Sequence, residues 1–408
     1  MKKSFVLLFI ILVIALLSAQ ALAADWAAVR KDAQHTSHAD DSLSPPLTLV
    51  WANDAGNEIA GSPVIAGDTV YYGINTGSKL IAVDLGTGKA RWAYQTGGDV
   101  QTTPSVVNDS VVFGSYDGNI YRVRTSDGSL MWKSQLSHGM YSSPLVFDGR
   151  VYVGTDGKDF YALDLATGHI AWQLANNTSQ GSPAGDRGKV FIGMLNGHVY
   201  ALDAPTGRVV WSFDTSSSIH SSPMIFDGKV FIATRGGTLY AFDEETGTVL
   251  WKANLGYKTD ATPSLDLDSR TVIIGTYGGY VKAYHTDNGT LKWTSGFIKP
   301  IYATAAVSGD TIYGTTQDGW MFALKTTDGS ERWSLDLGEW TFSSPAIANG
   351  YLVIGTMSHH LAAFKSSTTT ENPSPTPALP GVSTARLPGV SSALSGNQTL
   401  VKTQSTLP

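Results

Sequence analysis

Cysteine is absent from this chain of 408 residues. Its absence excludes disulfide bonds, thiolate metal sites and cysteine nucleophiles, so the folded protein must be held together by its core. Charge is also sparse, with 15% charged residues and a net charge of −6. A chain without a basic field is a poor partner for a polyphosphate backbone, and we therefore expect no binding to nucleic acid.

Recognisable catalytic and metal motifs are missing as well. The sequence has no Ser-His-Asp signature, no glycine-rich phosphate loop and no His-Glu-x-x-His pattern. The one adjacent histidine pair is His359-His360, and neighbours on a strand point to opposite faces of the sheet. We therefore predict no catalytic residue and no metal site.

Long apolar runs are confined to the N-terminus. Lys2 and Lys3 precede an apolar run from Phe5 to Leu17, and Ala21-Leu22-Ala23 follows as a small-residue cleavage site. We interpret residues 1–23 as a signal peptide, which predicts a secreted or extracytoplasmic protein at the cell surface or in the periplasm. The alternative is an uncleaved anchor, although the run is shorter than the roughly 20 residues that span a bilayer. We expect no membrane insertion after cleavage, and a monomer.

One motif returns about every forty residues. Its clearest copy is Tyr161-Ala162-Leu163-Asp164, followed by Thr167-Gly168 and Trp172, and the tryptophans that end the copies are 39 to 42 residues apart. A period near forty is typical of repeat arrays. The 43 glycines, and short runs rich in Val, Ile, Tyr and Phe, favour short strands joined by tight turns. We predict an all-β fold.

Each repeat is predicted to form four antiparallel strands, the first opening at a Ser-Pro or Thr-Pro pair and the fourth ending in Trp. Eight first strands can be counted, but the last copy stops at Lys365 before its Trp strand. The segment Leu47 to Trp51 is a terminal strand without a repeat of its own. We predict that it completes the last blade, giving an eight-bladed β-propeller over residues 47–365 that is closed by its N-terminal strand. Closure removes exposed sheet edges.

Two segments flank the predicted propeller. Residues 24–46 form a polar N-terminal leader, which we expect to be ordered with Trp26 packed on the domain. Residues 366–408 are rich in Ser, Thr and Pro, and we predict a disordered tail. An extended, O-glycosylated stalk is the alternative for the tail.

The residues shared by every copy are best explained as structural. Asp164 and Thr167 can accept hydrogen bonds from turn amides, and Gly168 supplies a positive φ. The Trp offers a flat surface to the neighbouring blade and an indole N–H for a backbone carbonyl. The tryptophans to which we assign this blade-docking role are Trp51, Trp92, Trp132, Trp172, Trp211, Trp251, Trp293 and Trp333.

The pattern Ala-x-Asp-x-x-Thr-Gly-x-x-x-Trp, with Ser-Pro opening each unit, resembles the PQQ-like family of tryptophan-docking β-propellers. The resemblance covers residues 47–365. It implies the propeller fold, but the family includes both quinoprotein alcohol dehydrogenases and non-catalytic scaffolds such as the outer-membrane assembly factor BamB. The sequence resembles the BamB-like, non-catalytic branch more than the dehydrogenases.

Function is expected where the copies differ. The residue two positions before the Ser or Thr of the opening pair changes from blade to blade, and symmetry places these residues in a ring around one mouth of the central channel. The ring consists of Ala60, Gln101, Tyr141, Gln180, His220, Asp260, Tyr302 and Phe342, with His138, Lys258, Glu339 and Trp340 nearby. Such a mixture could bind a small ligand or a peptide, or it could simply fill the channel.

Resemblance to quinoprotein dehydrogenases implies a PQQ cofactor held with calcium above the axis. Those enzymes use a vicinal Cys pair, a stacking Trp and a calcium site of Glu, Asn and Asp. Here Cys is absent and the ring offers a single carboxylate, Asp260, whereas calcium commonly takes six or more oxygen ligands. We expect no cofactor, and PQQ with calcium is disfavoured.

These observations favour an exported, non-catalytic propeller that binds a protein or cell-envelope partner through its loops and mouth. Two alternatives stay open. One is a PQQ-dependent oxidoreductase. The other is binding of a glycan or small ligand by Tyr141, Tyr302, Trp340, Gln101 and Gln180.

Overall fold

A computed structural model describes residues 25–157, 159–175 and 179–367. Within these ranges the regular secondary structure is entirely strand, and no helix is long and apolar enough to cross a membrane. The predicted signal peptide and nearly all of the predicted tail lie outside the described residues.

The strands form eight sheets, each with four strands in one blade, and the eighth blade is completed from the N-terminus. The predicted eight-bladed, all-β propeller is confirmed. Blades 1 to 4 consist of Val64–Ala66, Thr69–Ile74, Lys79–Asp84 and Ala90–Gln95; Ser105–Val107, Ser110–Gly114, Asn119–Arg124 and Leu130–Gln135; Leu145–Phe147, Arg150–Gly154, Asp159–Asp164 and Ile170–Ala175; Ala184–Asp186, Lys189–Gly193, His198–Asp203 and Val209–Asp214.

Blades 5 to 8 follow the same pattern. They consist of Met224–Phe226, Lys229–Ala233, Thr238–Asp243 and Val249–Asn254; Ser264–Asp266, Thr271–Gly275, Tyr280–His285 and Leu291–Gly296; Ala306–Ser308, Thr311–Thr315, Trp320–Lys325 and Glu331–Asp336; Ala346–Ala348, Tyr351–Gly355, His360–Ser366 and Leu47–Asp54. A short leader strand, His38–Ala39, pairs in parallel with the first strand of blade 7.

The ring closes as the orphan Trp strand predicts. Leu47–Asp54 pairs antiparallel with His360–Ser366, from Leu47 opposite Ser366 to Asp54 opposite His360. The N-terminal strand therefore stands as the fourth strand of the blade whose other three strands end the domain. The two ends of the propeller are joined by a full ladder of backbone hydrogen bonds.

Burial falls from the axis to the periphery. Second strands such as Thr271–Gly275 are buried along their whole length, whereas fourth strands such as Ile170–Ala175 are mostly exposed. Apolar clusters lie between neighbouring blades, as where Phe191 of blade 4 and Phe242 of blade 5 both contact Trp211. The core is therefore a series of interfaces between blades.

The tryptophans of the fourth strands lie at these interfaces. Seven of them donate an indole Nε1–H hydrogen bond of 2.8 to 3.0 Å to a backbone carbonyl in the turn of the next blade, among them Trp211 to Glu244 and Trp51 to Leu85. Trp333 has no such bond among the described residues, and the sequence of blade 8 has no Asp-x-x-Thr-Gly turn after its third strand. The docking contact is thus incomplete where the two ends of the propeller meet.

The glycine of each Thr-Gly turn lies directly under the tryptophan of the preceding blade. A Cβ on Gly247, whose φ is +70°, would stand 2.5 Å from the ring of Trp211. Four turns share a side-chain pattern in which the Thr backbone N–H and hydroxyl both donate to the Asp Oδ1, as Thr246 does to Asp243 at 2.8 Å. Glycine is needed here both for the positive φ and for the close approach of the indole.

The leader forms a floor across one end of the channel. Backbone carbonyls of the leader accept N–H groups from the first strands of successive blades: Ala27 from Val106, Ala33 from Gly185, Gln34 from Ile225, Thr36 from Leu265, and Ser37 from Val307. Trp26 pairs with Ile65 of blade 1 and is 3% exposed. The leader therefore ties several blades together, and the opposite end of the channel remains as the mouth.

Candidate functional site

A closed ring of hydroxyl groups surrounds the channel axis. The members, here called the hydroxyl ring, are Ser62, Thr103, Ser143, Ser182, Ser222, Thr262, Thr304 and Ser344. Each backbone N–H donates to the hydroxyl oxygen of the next member, at 2.8 to 3.3 Å, and Ser344 closes the circle onto Ser62. These residues are the Ser or Thr of the opening pairs, which lie just before the first strands and not inside them. Their role is to bond each blade to the next at the axis.

The hydroxyl ring gives a testable stability prediction. Ser182→Ala removes the acceptor of the Ser143 N–H, a bond of 3.1 Å between two buried residues. A buried donor left without a partner costs about 1–3 kcal/mol, and we expect a loss of this size in the free energy of unfolding. Urea denaturation measures it. The control is Ser126→Ala on the exposed surface, which should change stability by less than about 0.5 kcal/mol; equal effects of the two changes would contradict the role of the ring.

A cavity of about 200 Å³ occupies the channel between the mouth and the leader. Val29 and Arg30 of the leader line its floor, and six members of the hydroxyl ring line its wall. Six residues of the predicted variable ring line its upper part, namely Ala60, Gln101, Tyr141, Gln180, Tyr302 and Phe342. The structure thus brings these six together around the axis; that they bind a ligand stays a prediction.

His220 and Asp260, the other two members of the variable ring, belong to a polar cluster at the mouth. Tyr277 donates its hydroxyl to Asp260 Oδ2, and Arg235 Nε lies 3.7 Å from Asp260 Oδ1. His220 Nδ1 lies 4.0 Å from Asp260 Oδ2, while its Nε2 lies 3.3 Å from Arg235 Nη1. The single carboxylate of the ring is therefore already engaged by neighbouring side chains.

Burial shapes the protonation of this cluster. Burial lowers the pKa of His220, the Asp260 carboxylate raises it, and the Arg235 guanidinium lowers it further, with a net lowering. Burial and the hydrogen bond to Asp260 raise the pKa of Tyr277 above its usual range. At neutral pH the imidazole and the phenol are therefore uncharged, and the phenol is a hydrogen-bond donor.

Aromatic side chains surround the rest of the mouth. Tyr302 contacts both Tyr277 and Phe342, with ring centroids 4.4 and 5.4 Å apart, and Tyr141 meets Tyr116 edge to face at 5.3 Å. These residues stand on the connections that enter the first strands and on the turns beside them. The upper cavity is therefore walled by rings, and the lower cavity by hydroxyls.

Of the four residues predicted near the mouth, Glu339 is the one enclosed by the protein. It is 5% exposed, accepts the Thr356 hydroxyl at 2.5 Å and lies 2.7 Å from His360 Nδ1. Trp340 next to it is 59% exposed, and Lys258 is also exposed. A Cβ on Gly157 would collide with the ring of His138, so that histidine packs closely on the adjoining turn.

Metal-ligating side chains do not converge within the described ranges. No group of three or more His, Asp or Glu residues in this part of the chain is arranged to hold an ion. His360 is paired with Glu339, and His359 lies in the preceding turn with a φ of +82°.

Arg30 is the site residue that sequence reasoning missed. Its Nε donates to Thr304 Oγ1 at 3.2 Å, and its Nη1 is buried without a hydrogen-bond partner among the described residues. It forms no ion pair with any described carboxylate. The leader occurs once and has no periodicity, so no comparison between copies could single out this residue. Lys31 and Asp32 beside it are charged as well, so its charge gave no signal.

The family described as outer membrane protein assembly factor BamB matches residues 47–125, 101–183, 175–295 and 277–405, which together cover more than half of the chain. The chain belongs to this family. The predicted resemblance to PQQ-like propellers, with BamB among them, is confirmed.

Curated relatives of this BamB-family chain include quinone alcohol dehydrogenase subunits and a BamB protein. The dehydrogenase subunit of a quinone alcohol dehydrogenase from Gluconacetobacter polyoxogenes is 31% identical over 160 residues, covering 31% of this chain and 21% of the relative. The outer membrane protein assembly factor BamB of Burkholderia pseudomallei is 27% identical over 150 residues, covering 36% of this chain and 39% of the relative. The chain thus spans well under half the length of each.

A solved BamB has the same architecture. The crystal structure of BamB from Moraxella catarrhalis superposes with a TM-score of 0.68 at 20% identity, covering 80% of this chain and 100% of that one. At this identity the similarity concerns the fold alone.

Proposed function

We propose that this BamB-family protein is an extracytoplasmic, non-catalytic propeller that binds a protein partner at its mouth. The observation that carries the proposal is a set of large apolar side chains exposed on one face. They are Tyr141, Tyr257, Ile298, Trp340 and Phe342, and each lies on a connection from a fourth strand to the next first strand. Exposed aromatic groups gathered on one face are typical of protein-binding surfaces.

The rim of this face suits a protein partner for a second reason. Arg235 and Asp260 place opposite charges beside the aromatic residues, and Lys258 adds an exposed ammonium group. Interfaces commonly combine an aromatic centre with a polar rim that fixes orientation. The name of one relative, the outer membrane protein assembly factor BamB of Burkholderia pseudomallei, supports a partner in the cell envelope.

Site-specific photocrosslinking in the native envelope tests the proposal. A photoreactive residue at position 340 should give a discrete protein adduct, whereas the same group at position 291 should give none. Leu291 is the matched control because it is apolar and 53% exposed but lies on a fourth strand, away from the mouth. Adducts of equal yield at both positions, or none at 340, would refute binding at the mouth.

Alanine substitution tests the same surface by affinity. Once the crosslinked partner is identified, we expect Trp340→Ala to weaken its binding by tenfold or more, since buried tryptophans dominate interface energies. Leu291→Ala should leave the affinity unchanged. Binding of both purified variants to that partner by calorimetry measures the difference.

An oxidoreductase is the second candidate, favoured by the quinone alcohol dehydrogenase relatives. The scarcity of oxygen ligands for calcium around the cavity argues against an oxidoreductase. Asp260 is the one carboxylate of the variable ring, it already accepts the Tyr277 hydroxyl, and it faces Arg235. A hard cation needs several oxygen ligands that are free to converge. We therefore propose that the cavity does not take PQQ with calcium, and a saturable calorimetric signal on titration with PQQ and calcium chloride would reverse this assignment.

A further inference from the structure

The floor of the channel carries a positive charge without a counter-charge. Arg30 Nη1 is buried and unpartnered, and the guanidinium forms no ion pair with any carboxylate in the described ranges. Its side chain donates one hydrogen bond within the described residues, from Nε to the neutral hydroxyl of Thr304 at 3.2 Å. Arg30 also lines the cavity, so the buried charge lies beside the channel.

An enclosed, unpaired cation is costly and normally has an anionic partner. Burial lowers the pKa of Arg30 to about 10, so the group still carries its charge at neutral pH. Its backbone is held at a φ of +54°, and Lys31 and His35 nearby also have positive φ values, an arrangement that is uncommon for residues with side chains. The leader thus maintains both a buried charge and an unfavourable backbone at the same place.

The walls above Arg30 present hydrogen-bond donors. Each oxygen of the hydroxyl ring accepts a backbone N–H, and these bonds do not use its O–H hydrogen, which can donate to a ligand. Gln101 and Gln180 add amide groups, and no carboxylate lines the cavity among the described residues. A site with one guanidinium, neutral donors and no opposing negative charge is suited to an anion.

We propose that the channel binds a small monocarboxylic acid, with its carboxylate on Arg30 and its apolar part against the rings of Tyr302 and Phe342, which line the cavity. A guanidinium and a carboxylate match in charge and in planar geometry, whereas a dianion such as phosphate would leave one charge unpaired. The cavity of about 200 Å³ is smaller than the roughly 300 Å³ at the lower end of drug-sized pockets, which restricts the ligand to a short acid. The argument for this site, a buried cation in the floor of the channel, does not rest on a protein bound at the mouth, although both would contact Phe342.

Saturation-transfer NMR with propionate tests the proposal on the full chain. The wild-type protein should transfer saturation to propionate at constant ionic strength, and not to propionamide, which has the same shape and no charge. This comparison needs no variant and is therefore insensitive to folding defects. Equal signals from the two ligands, or a signal from neither, would overturn the proposal.

Two variants locate the site. Arg30→Met should weaken propionate binding by tenfold or more, since hydrogen bonds to charged groups contribute at least that much. Arg208→Met, on the exposed surface, should leave it unchanged. If Arg30→Met fails to fold, Gln101→Ala and Gln180→Ala are expected to lower the affinity in its place. Complete displacement of propionate by equimolar phosphate or chloride would reject a carboxylate-specific site.

Discussion

Trp211→Ala is expected to lower the free energy of unfolding by about 3–5 kcal/mol, the range for removing a large buried aromatic side chain. Trp211 is 8% exposed and lies between Phe191 and Phe242, with ring centroids 5.9 and 5.8 Å away. Its indole donates to the Glu244 carbonyl at 2.9 Å, and its ring covers Gly247. The substitution therefore opens a cavity between blades 4 and 5 and leaves a buried carbonyl without its donor.

The control for this prediction is another tryptophan. Trp340→Ala removes the same side chain from a position that is 59% exposed, and we expect a change of less than about 0.5 kcal/mol. Trp211→Phe should fall between the two, because it keeps an aromatic ring but loses the N–H donor. Urea denaturation of the three variants gives the comparison. A loss below about 1 kcal/mol for Trp211→Ala would mean that docking is not what holds these blades together.

The propeller could be predicted from the sequence because the motif that specifies one blade occurs in nearly every blade. Each copy specifies the same turn and the same Trp, so an error in one copy is corrected by the others. The closure was predictable too, because the strand that ends at Trp51 has no repeat of its own and the last repeat, which ends at Lys365, has no Trp strand. The variable ring followed from the same alignment of copies, and six of its eight members line one cavity.

The floor of the channel could not be predicted in this way. The leader is not part of the repeat, and its backbone carbonyls accept hydrogen bonds from the first strands of several blades. Nothing in its composition indicates that it crosses the channel. Arg30 and His35 are polar residues in a polar segment, so sequence alone gives no reason to place them inside the protein. The hydroxyl ring was missed for the opposite reason: Ser182 and its counterparts occur in every blade and were interpreted as strand openings.

The leader also connects the site to the stability of the whole ring. It crosses the first strands at one end of the channel, and its buried polar groups are held by contacts with distant blades. Arg30 bonds to Thr304 of the hydroxyl ring, and His35 bonds to Pro223 of blade 5. Changes in the charge of this segment should therefore affect global unfolding and not just a local loop.

The protonation of His35 is predicted to make the protein markedly less stable in acid. His35 is fully buried; its Nδ1 lies 2.9 Å from the Pro223 carbonyl, to which it donates, and its Nε2 is buried without a partner among the described residues. Burial and the nearby Arg30 guanidinium lower the pKa of His35 to about 3 from the 6.5 of an unfolded chain. The folded imidazole is therefore neutral in mild acid.

The sign of the effect follows from proton uptake. Between pH 6.5 and 3 the unfolded chain binds a proton at His35 and the folded protein does not, so stability falls as the pH falls through this window. The limiting slope is about 1.4 kcal/mol per pH unit, and the whole window amounts to about 5 kcal/mol. Burial raises the pKa of Asp32 in the same segment, which acts in the opposite direction. The contribution of His35 is therefore obtained as a difference between variants.

His35→Gln removes the titrating group, so its unfolding free energy should decline less steeply than that of the wild type between pH 6.5 and 4. Urea denaturation at half-unit steps gives both curves, and their difference should approach 1.4 kcal/mol per unit at the steepest point, or about tenfold in the unfolding constant. His169→Gln, at an exposed turn, should retain the wild-type slope. Parallel curves for His35→Gln and the wild type would show that this histidine is protonated in the folded protein and that the leader accommodates its charge.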